Sequence, residues 1–209
     1  MTAAQVLVLA KEPVAGRVKT RLTPALTPRE AAEVAEAALE DTLDAVRRTD
    51  AAVRVLVLDG TWAAAGFVVQ PQSGGELDER LANAFDDAWA ANPLPMMLIG
   101  MDTPQITEVL LEKALATLLS PGVDAVLGLA DDGGWWGLGL RRPHPHLIRG
   151  IITSRDDTGQ VQRQRLLAAD LALVDLPVLR DVDSIEDLLH VARTCPDGRF
   201  TATVDRVLP

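Results

Sequence analysis

Three separate stretches of this 209-residue chain carry the side chains best suited to chemistry. The first, "LVLAKEPVAGRVKTRL" (7–22), runs from a short apolar segment into a loop with four basic residues, Lys11, Arg17, Lys19 and Arg21, around Gly16. A strand followed by a glycine-bearing loop and a helix is a common phosphate site, because backbone N–H groups and basic side chains converge at the strand's carboxyl end. Spacing alone equally describes a solvated surface loop. The stretch matches neither G-x-x-x-x-G-K-[ST] nor G-x-G-x-x-G, so neither a Walker loop nor a dinucleotide fingerprint is supported. The second stretch, "MMLIGMDTP", puts Asp102 just beyond an apolar strand, with Pro104 ending it. A carboxylate there can hold Mg²⁺ or Mn²⁺ against a diphosphate, or cap the helix that follows. In the third, "LRDVDSIEDLL", Asp181 and Asp183 alternate with Val182, so an extended backbone points both carboxylates the same way. Asp183 also precedes Ser184, a natural helix cap.

Composition narrows the ligands. Thirty acidic against twenty basic residues give a formal charge of -10, a repulsive average field for nucleic acid, so any anionic ligand needs a local exception. The single Cys195 excludes an intramolecular disulfide, and three scattered histidines offer no zinc-type cluster. No targeting segment or apolar run of membrane-spanning length is expected, so a cytoplasmic location is the expectation.

Positioning these residues requires strands with their carboxyl ends together. Val- and Leu-rich runs at Val6–Ala10, Val53–Leu58, Met96–Ile99 and Asp124–Leu129 alternate with helical patterns, as in a mostly parallel sheet covered on both faces. Helices are expected from Thr27-Pro28, over Leu77 to Trp89, after Thr107, and over Ser184 to Arg193. "LALVDL" is a further strand, and the tail from Cys195 has some strand character. With no internal repeat or long linker, residues 1–209 read as one α/β domain of three layers, with the cleft at the strands' carboxyl ends.

Taken in order, "AKEPVAGRVKTRL", "GGELDERLANAF", "LIGMDTPQIT", "DDGGWWGLGL" and "LRDVDSIEDL" resemble the motifs of a bacterial glycosyltransferase family in the nucleotide-diphospho-sugar transferase superfamily, across roughly Val6 to Leu188. A more distant resemblance extends to the 2-phospho-lactate and molybdenum-cofactor guanylyltransferases. The resemblance implies that Gly16, Arg17, Lys19 and Arg21, with Lys11 at the entrance, hold the nucleotide's phosphates. It also implies that Asp102 and Asp183 bind Mg²⁺ or Mn²⁺, and that Asp132, in an Asp-Gly-Gly motif, lies near the transferred group. Lys19 and Arg21 would then stabilise the leaving diphosphate, and in an inverting reaction Asp132 would take the acceptor's proton, a retaining course being equally open. The family's aromatic pair after that motif is usually tyrosine, whereas this chain has Trp135 and Trp136. The implied activity is transfer of a sugar from a nucleotide sugar to a small-molecule acceptor. The alternatives are nucleotidyl transfer from a nucleoside triphosphate to a phosphorylated small molecule, and nucleotide binding without catalysis. Of the tryptophan pair, one ring is expected in the core and the other in the cleft.

Overall fold

A computed structural model describes residues 2–23, 25–195 and 198–208. Seven strands form a single sheet: β1 (Gln5–Lys11), β2 (Val53–Asp59), β3 (Val68–Pro71), β4 (Met96–Gly100), β5 (Ala125–Leu129), β6 (Trp135–Leu140) and β7 (Leu173–Asp175), in the order β3-β2-β1-β4-β6-β5-β7. All pair in parallel except β6, which runs antiparallel to both β4 and β5. The exception has a local cause. Between β5 and β6 the chain has only a glycine turn rather than a crossover helix, so it must return antiparallel.

Helices α1 (Pro28–Arg48) and α3 (Glu108–Leu119) cover one face, and α2 (Leu77–Ala91) and α4 (Thr158–Ala168) the other. Alternation along the strands serves both layers: Val6, Val8, Met97 and Ile99 pack toward α1 and α3, whereas Leu7, Met96 and Leu98 pack toward α2. Helix α1 is set locally. Thr27 and Glu30 form a reciprocal capping box, and Pro28 occupies the first turn. The result is a three-layer α/β architecture, as the sequence patterning implies.

The strand character expected of the tail is not what forms. The tail folds into α6 (Arg199–Val207), which with α5 (Ile185–Thr194) packs against the outer side of α1. Phe200 and Val204, one helical turn apart, are buried there, and the Asp41 carboxylate on α1 accepts the N–H groups of Arg199 and Phe200. A cap supplied from 158 residues away leaves no local signal. The same cluster takes in Leu22, Leu26 and Val182, so α5 and α6 anchor the basic loop and the late Asp-Val-Asp strip together.

Trp136 is buried toward α1 and α3, with its indole N–H donated to the Pro177 carbonyl at 2.9 Å, and Trp135 faces the other layer, half-buried. Room for the Trp136 ring comes from Gly128 on the neighbouring strand, where an added Cβ would lie 2.2 Å from the indole. Gly128→Ala is expected to destabilise the fold by about 2–3 kcal/mol, because the hydrogen-bonded ring cannot swing aside. A denaturant titration measures this, and a second change, Trp136→Phe, should restore part of the loss. An unchanged midpoint for Gly128→Ala would show that the layer has slack.

Candidate active site

The sheet's parallel strands end their carboxyl termini on one side, and there a cleft of about 630 Å³ opens. The loop after β1 forms one wall. Gly16 turns the chain with φ +78 but does not itself line the cleft, so its use is conformational rather than a close approach to a ligand. Arg17, Lys19 and Arg21 do line it, as does Lys11 at the end of β1. Lys11 and Arg17 make no ion pair among the described residues. Lys19 adopts a left-handed conformation (φ 47, ψ 37) just before a 3₁₀ turn at Thr20–Leu22, whose Leu22 is anchored in the α5/α6 cluster.

That bend drives the Lys19 side chain inward. Its Nζ lies 2.6 Å from Asp102 Oδ1 and 3.3 Å from Asp183 Oδ1, and it also donates to the Val182 carbonyl. The Lys19 side chain is 8 % exposed. Burial pulls its pKa down, but the two carboxylates outweigh burial and leave it raised, so it stays charged at neutral pH. Asp183 Oδ2 also takes Arg21 Nη1 at 2.9 Å.

The carboxylates arrive from two elements. Asp102 follows β4, and its carbonyl accepts the Val182 N–H at 3.1 Å, tying the two segments together. With Val182 buried in the anchoring cluster, Asp181 and Asp183 on either side of it both line the cleft, as their alternation implies. The Lys19 ammonium therefore lies between Asp102 and Asp183. The resemblance implies Asp183 and not Asp181 as a ligand, although the Asp-x-Asp spacing points both carboxylates the same way. Its Oδ1 is buried and has no hydrogen-bond partner among the described residues. Burial, then the charges of Asp102 and Asp132, raise its carboxyl to about 7 against the pull of Lys19.

Three aspartates close on the Lys19 ammonium, with Arg21 on the outer oxygen of Asp183, and carboxylate oxygens gathered in this way are the ligands a hard divalent cation takes. Among the described residues no three acidic, His or Cys side chains already stand in a coordinating arrangement. The orphaned Asp181 oxygen nevertheless fits such an ion, provided Lys19 gives up its hold on Asp102 and Asp183.

The opposite wall comes from the β5–β6 turn and the segment before α4. Asp132 lines the cleft there, with Oδ1 fixed by the Gly134 N–H at 2.8 Å. Gly133 is irreplaceable at this turn: its φ is +88, and a Cβ would stand 1.9 Å from the Asp156 carbonyl oxygen. Trp135 lines this wall too. Cys195 is remote from the cleft, its thiol pushed up to about 12 by burial, which leaves it a poor nucleophile.

A mostly parallel sheet with a basic loop after its first strand, acidic residues after β4 and before α5, and the cleft between them defines the nucleotidyltransferase and nucleotide-diphospho-sugar transferase type of fold. A crystal structure from Desulfovibrio desulfuricans G20, provisionally named a nucleotide-diphospho-sugar transferase, superposes with a TM-score of 0.88 at 26% identity, over 99% of this chain and 97% of that one. Rv0371c of Mycobacterium tuberculosis H37Rv, in complex with manganese, shares the fold at a TM-score of 0.52 and 20% identity, over 91% of this chain and 98% of its own. By sequence, the 2-phospho-L-lactate guanylyltransferase of Methanocella arvoryzae is 26% identical over 175 residues, 83% of this chain and 74% of the relative. The chain belongs to the family described as "Uncharacterized protein conserved in bacteria (DUF2064)", which matches residues 31–155. Among the described residues, no helix is long and apolar enough to cross a membrane.

Proposed function

We propose that the protein transfers a sugar from a nucleotide-diphospho-sugar to a small acceptor, with Mg²⁺ or Mn²⁺ held by Asp102, Asp181 and Asp183. One observation carries this reading: the two walls of the cleft differ in charge. The cations without an ion pair, Lys11 and Arg17, stand on the β1 side with Lys19 and Arg21, where a diphosphate would lie. The other wall offers the second carboxylate oxygen of Asp132 and an indole face, which suit a hydroxyl acceptor and a sugar ring, and its cation, Arg155, is paired with Asp157.

In this mechanism Arg17 and Lys11 draw the diphosphate into the cleft. Lys19 turns from the carboxylates to a phosphate oxygen, and Arg21 neutralises charge on the departing nucleoside diphosphate. Asp132, held by the Gly134 N–H, takes the proton of the acceptor hydroxyl. When bound, the divalent ion supplies Lewis-acid stabilisation of the leaving diphosphate; the manganese complex of a protein of this fold supports that requirement.

Nucleotidyl transfer is the second reading, favoured by the four cations gathered on one loop and by the guanylyltransferase relative. The products separate the two. Incubation with nucleotide sugars and nucleoside triphosphates, with chromatographic product analysis, is expected to yield nucleoside diphosphate. Pyrophosphate release would replace sugar transfer with nucleotidyl transfer. In either case Asp102→Ala should keep the fold, since its carboxylate is 44 % exposed, and lose metal-dependent nucleotide stabilisation in a thermal shift assay. Metal-dependent stabilisation equal to wild type would remove Asp102 from the site.

A further inference from the structure

The side chains at one end of the cleft name the nucleotide's base, an inference that rests on the reading of this cleft as the site of a nucleotide sugar. Sheet order divides the cleft into three parts. The basic loop and the aspartates lie over the ends of β1 and β4, in the middle of the sheet, and Asp132 and Trp135 stand toward β6. With the diphosphate over the middle part and the sugar and acceptor toward β6, the nucleoside extends the other way, over β2 and β3. Gln72, just after β3, and Glu76 and Arg80, at the start of α2, line the cleft there.

Arg80 is a donor fixed in place. Its Nε donates to the Gly75 carbonyl at 2.9 Å, and its Nη1 to Asp59 Oδ2 at 3.2 Å and Gln72 Oε1 at 3.4 Å. Gln72 is anchored in turn, its amide nitrogen donating to the Ala10 carbonyl on β1 and the Val57 carbonyl on β2. Arg80 Nη2 is left without a partner among the described residues. Asp59 neutralises this guanidinium, whereas Lys11 and Arg17 have no ion pair among the described residues. Phosphate therefore falls to those two, and Arg80 suits an uncharged acceptor atom. Glu76 lies one helical turn before Arg80, yet the guanidinium is turned to Asp59 instead, and the Glu76 side chain does not cap α2. Both its oxygens are uncommitted.

We propose that this end of the cleft reads guanine. The two Glu76 oxygens accept the base's N1–H and one hydrogen of its 2-amino group, and Arg80 Nη2 donates to the adjacent O6. Guanine alone among the common bases presents two neighbouring donors beside an acceptor on one edge. Uracil has a single donor between two carbonyls, which would face the carboxylate, and adenine and cytosine offer it only an amino group beside a ring nitrogen acceptor.

Calorimetric titration with Mn²⁺ present tests the base without knowing sugar or acceptor. GDP is expected to bind about 10- to 100-fold more tightly than UDP, CDP or ADP, the worth of charge-assisted hydrogen bonds to the base. Inosine diphosphate, which lacks the 2-amino group, should fall between. Glu76 is exposed and uncommitted, so Glu76→Gln keeps the fold. This change should weaken GDP by about tenfold and strengthen xanthosine diphosphate, whose 2-carbonyl accepts the new amide N–H. A merely structural role for Glu76 would weaken both. The proposal is overturned if UDP, CDP or ADP binds as tightly as GDP, or if Glu76→Gln leaves the ratio of GDP to xanthosine diphosphate affinity unchanged. Either result removes guanine and leaves sugar transfer standing. Binding by none of the four common diphosphates removes the nucleotide, and both readings fall, whereas pyrophosphate as product removes sugar transfer and leaves the base assigned.

Discussion

Lys19→Met is expected to move two affinities in opposite directions, weakening nucleotide binding by about 10- to 100-fold, the worth of a charge-assisted hydrogen bond to phosphate, while strengthening the binding of Mn²⁺ alone. The reason is that the ammonium occupies the space between Asp102 and Asp183, at 2.6 and 3.3 Å, and a free divalent ion must displace it. Without it the carboxylates are open to the metal, but nothing remains to hand over to the phosphates. Stability should fall as well. Removing one partner of a fully buried ion pair costs about 3–5 kcal/mol, but Asp102 and Asp183 are 44 % and 39 % exposed, so water screens them. A loss of about 2 kcal/mol is expected in the metal-free protein. Calorimetric titration of Mn²⁺ and of a nucleoside diphosphate, each into both proteins, checks this. Equal Mn²⁺ affinities would show that the ammonium and the metal do not compete for the same oxygens.

Asp181→Asn should stabilise the metal-free protein and cripple it for metal. The Asp181 carboxyl is raised to about 7 from its ordinary 3.8, so between these values the native state binds a proton that the unfolded state has released. Stability therefore declines as pH rises from about 4 to about 7 and then levels off. Asparagine has no such proton to lose. The variant should match wild type near pH 4 and exceed it above pH 7 by on the order of 2–4 kcal/mol. Adding Mn²⁺ should reverse the order, because the ion relieves the carboxylate of wild type and finds no charge on the amide. Thermal unfolding across that pH range, with and without Mn²⁺, decides it. A constant gap at every pH would mean that Asp181 is not the group that titrates. A variant stabilised by Mn²⁺ as much as wild type would mean that Asp181 is not a ligand.

Sequence by itself determined what depends on near neighbours. The alternation of Val6 to Val8 and of Met96 to Ile99 sets strands that pack on both faces, and the two helix layers follow from it. Thr27, Pro28 and Glu30 start α1, since a capping box closes within four residues. The spacing of Asp181 and Asp183 aims both carboxylates the same way, because Val182 takes the other face of an extended chain. Even the basic loop was readable as a local exception in an acidic protein.

Other features were decided only in three dimensions. The exposed four-residue edge strand β3 is held by hydrogen bonds from β2, and α6, although Phe200, Val204 and Val207 recur at helical spacing, takes its cap from Asp41, so neither element's start is marked locally. No local signal puts the Lys19 ammonium between Asp102 and Asp183, since those partners lie far along the chain and meet it only because Leu22 and Val182 are buried in one cluster. The same holds for the charge on Asp181, which depends on burial and on Asp102 and Asp132 arriving from two other elements. Periodicity and capping act within a few residues and can be read along the chain, whereas burial and electrostatic fields sum over whatever the fold brings near, which the order of residues alone does not state.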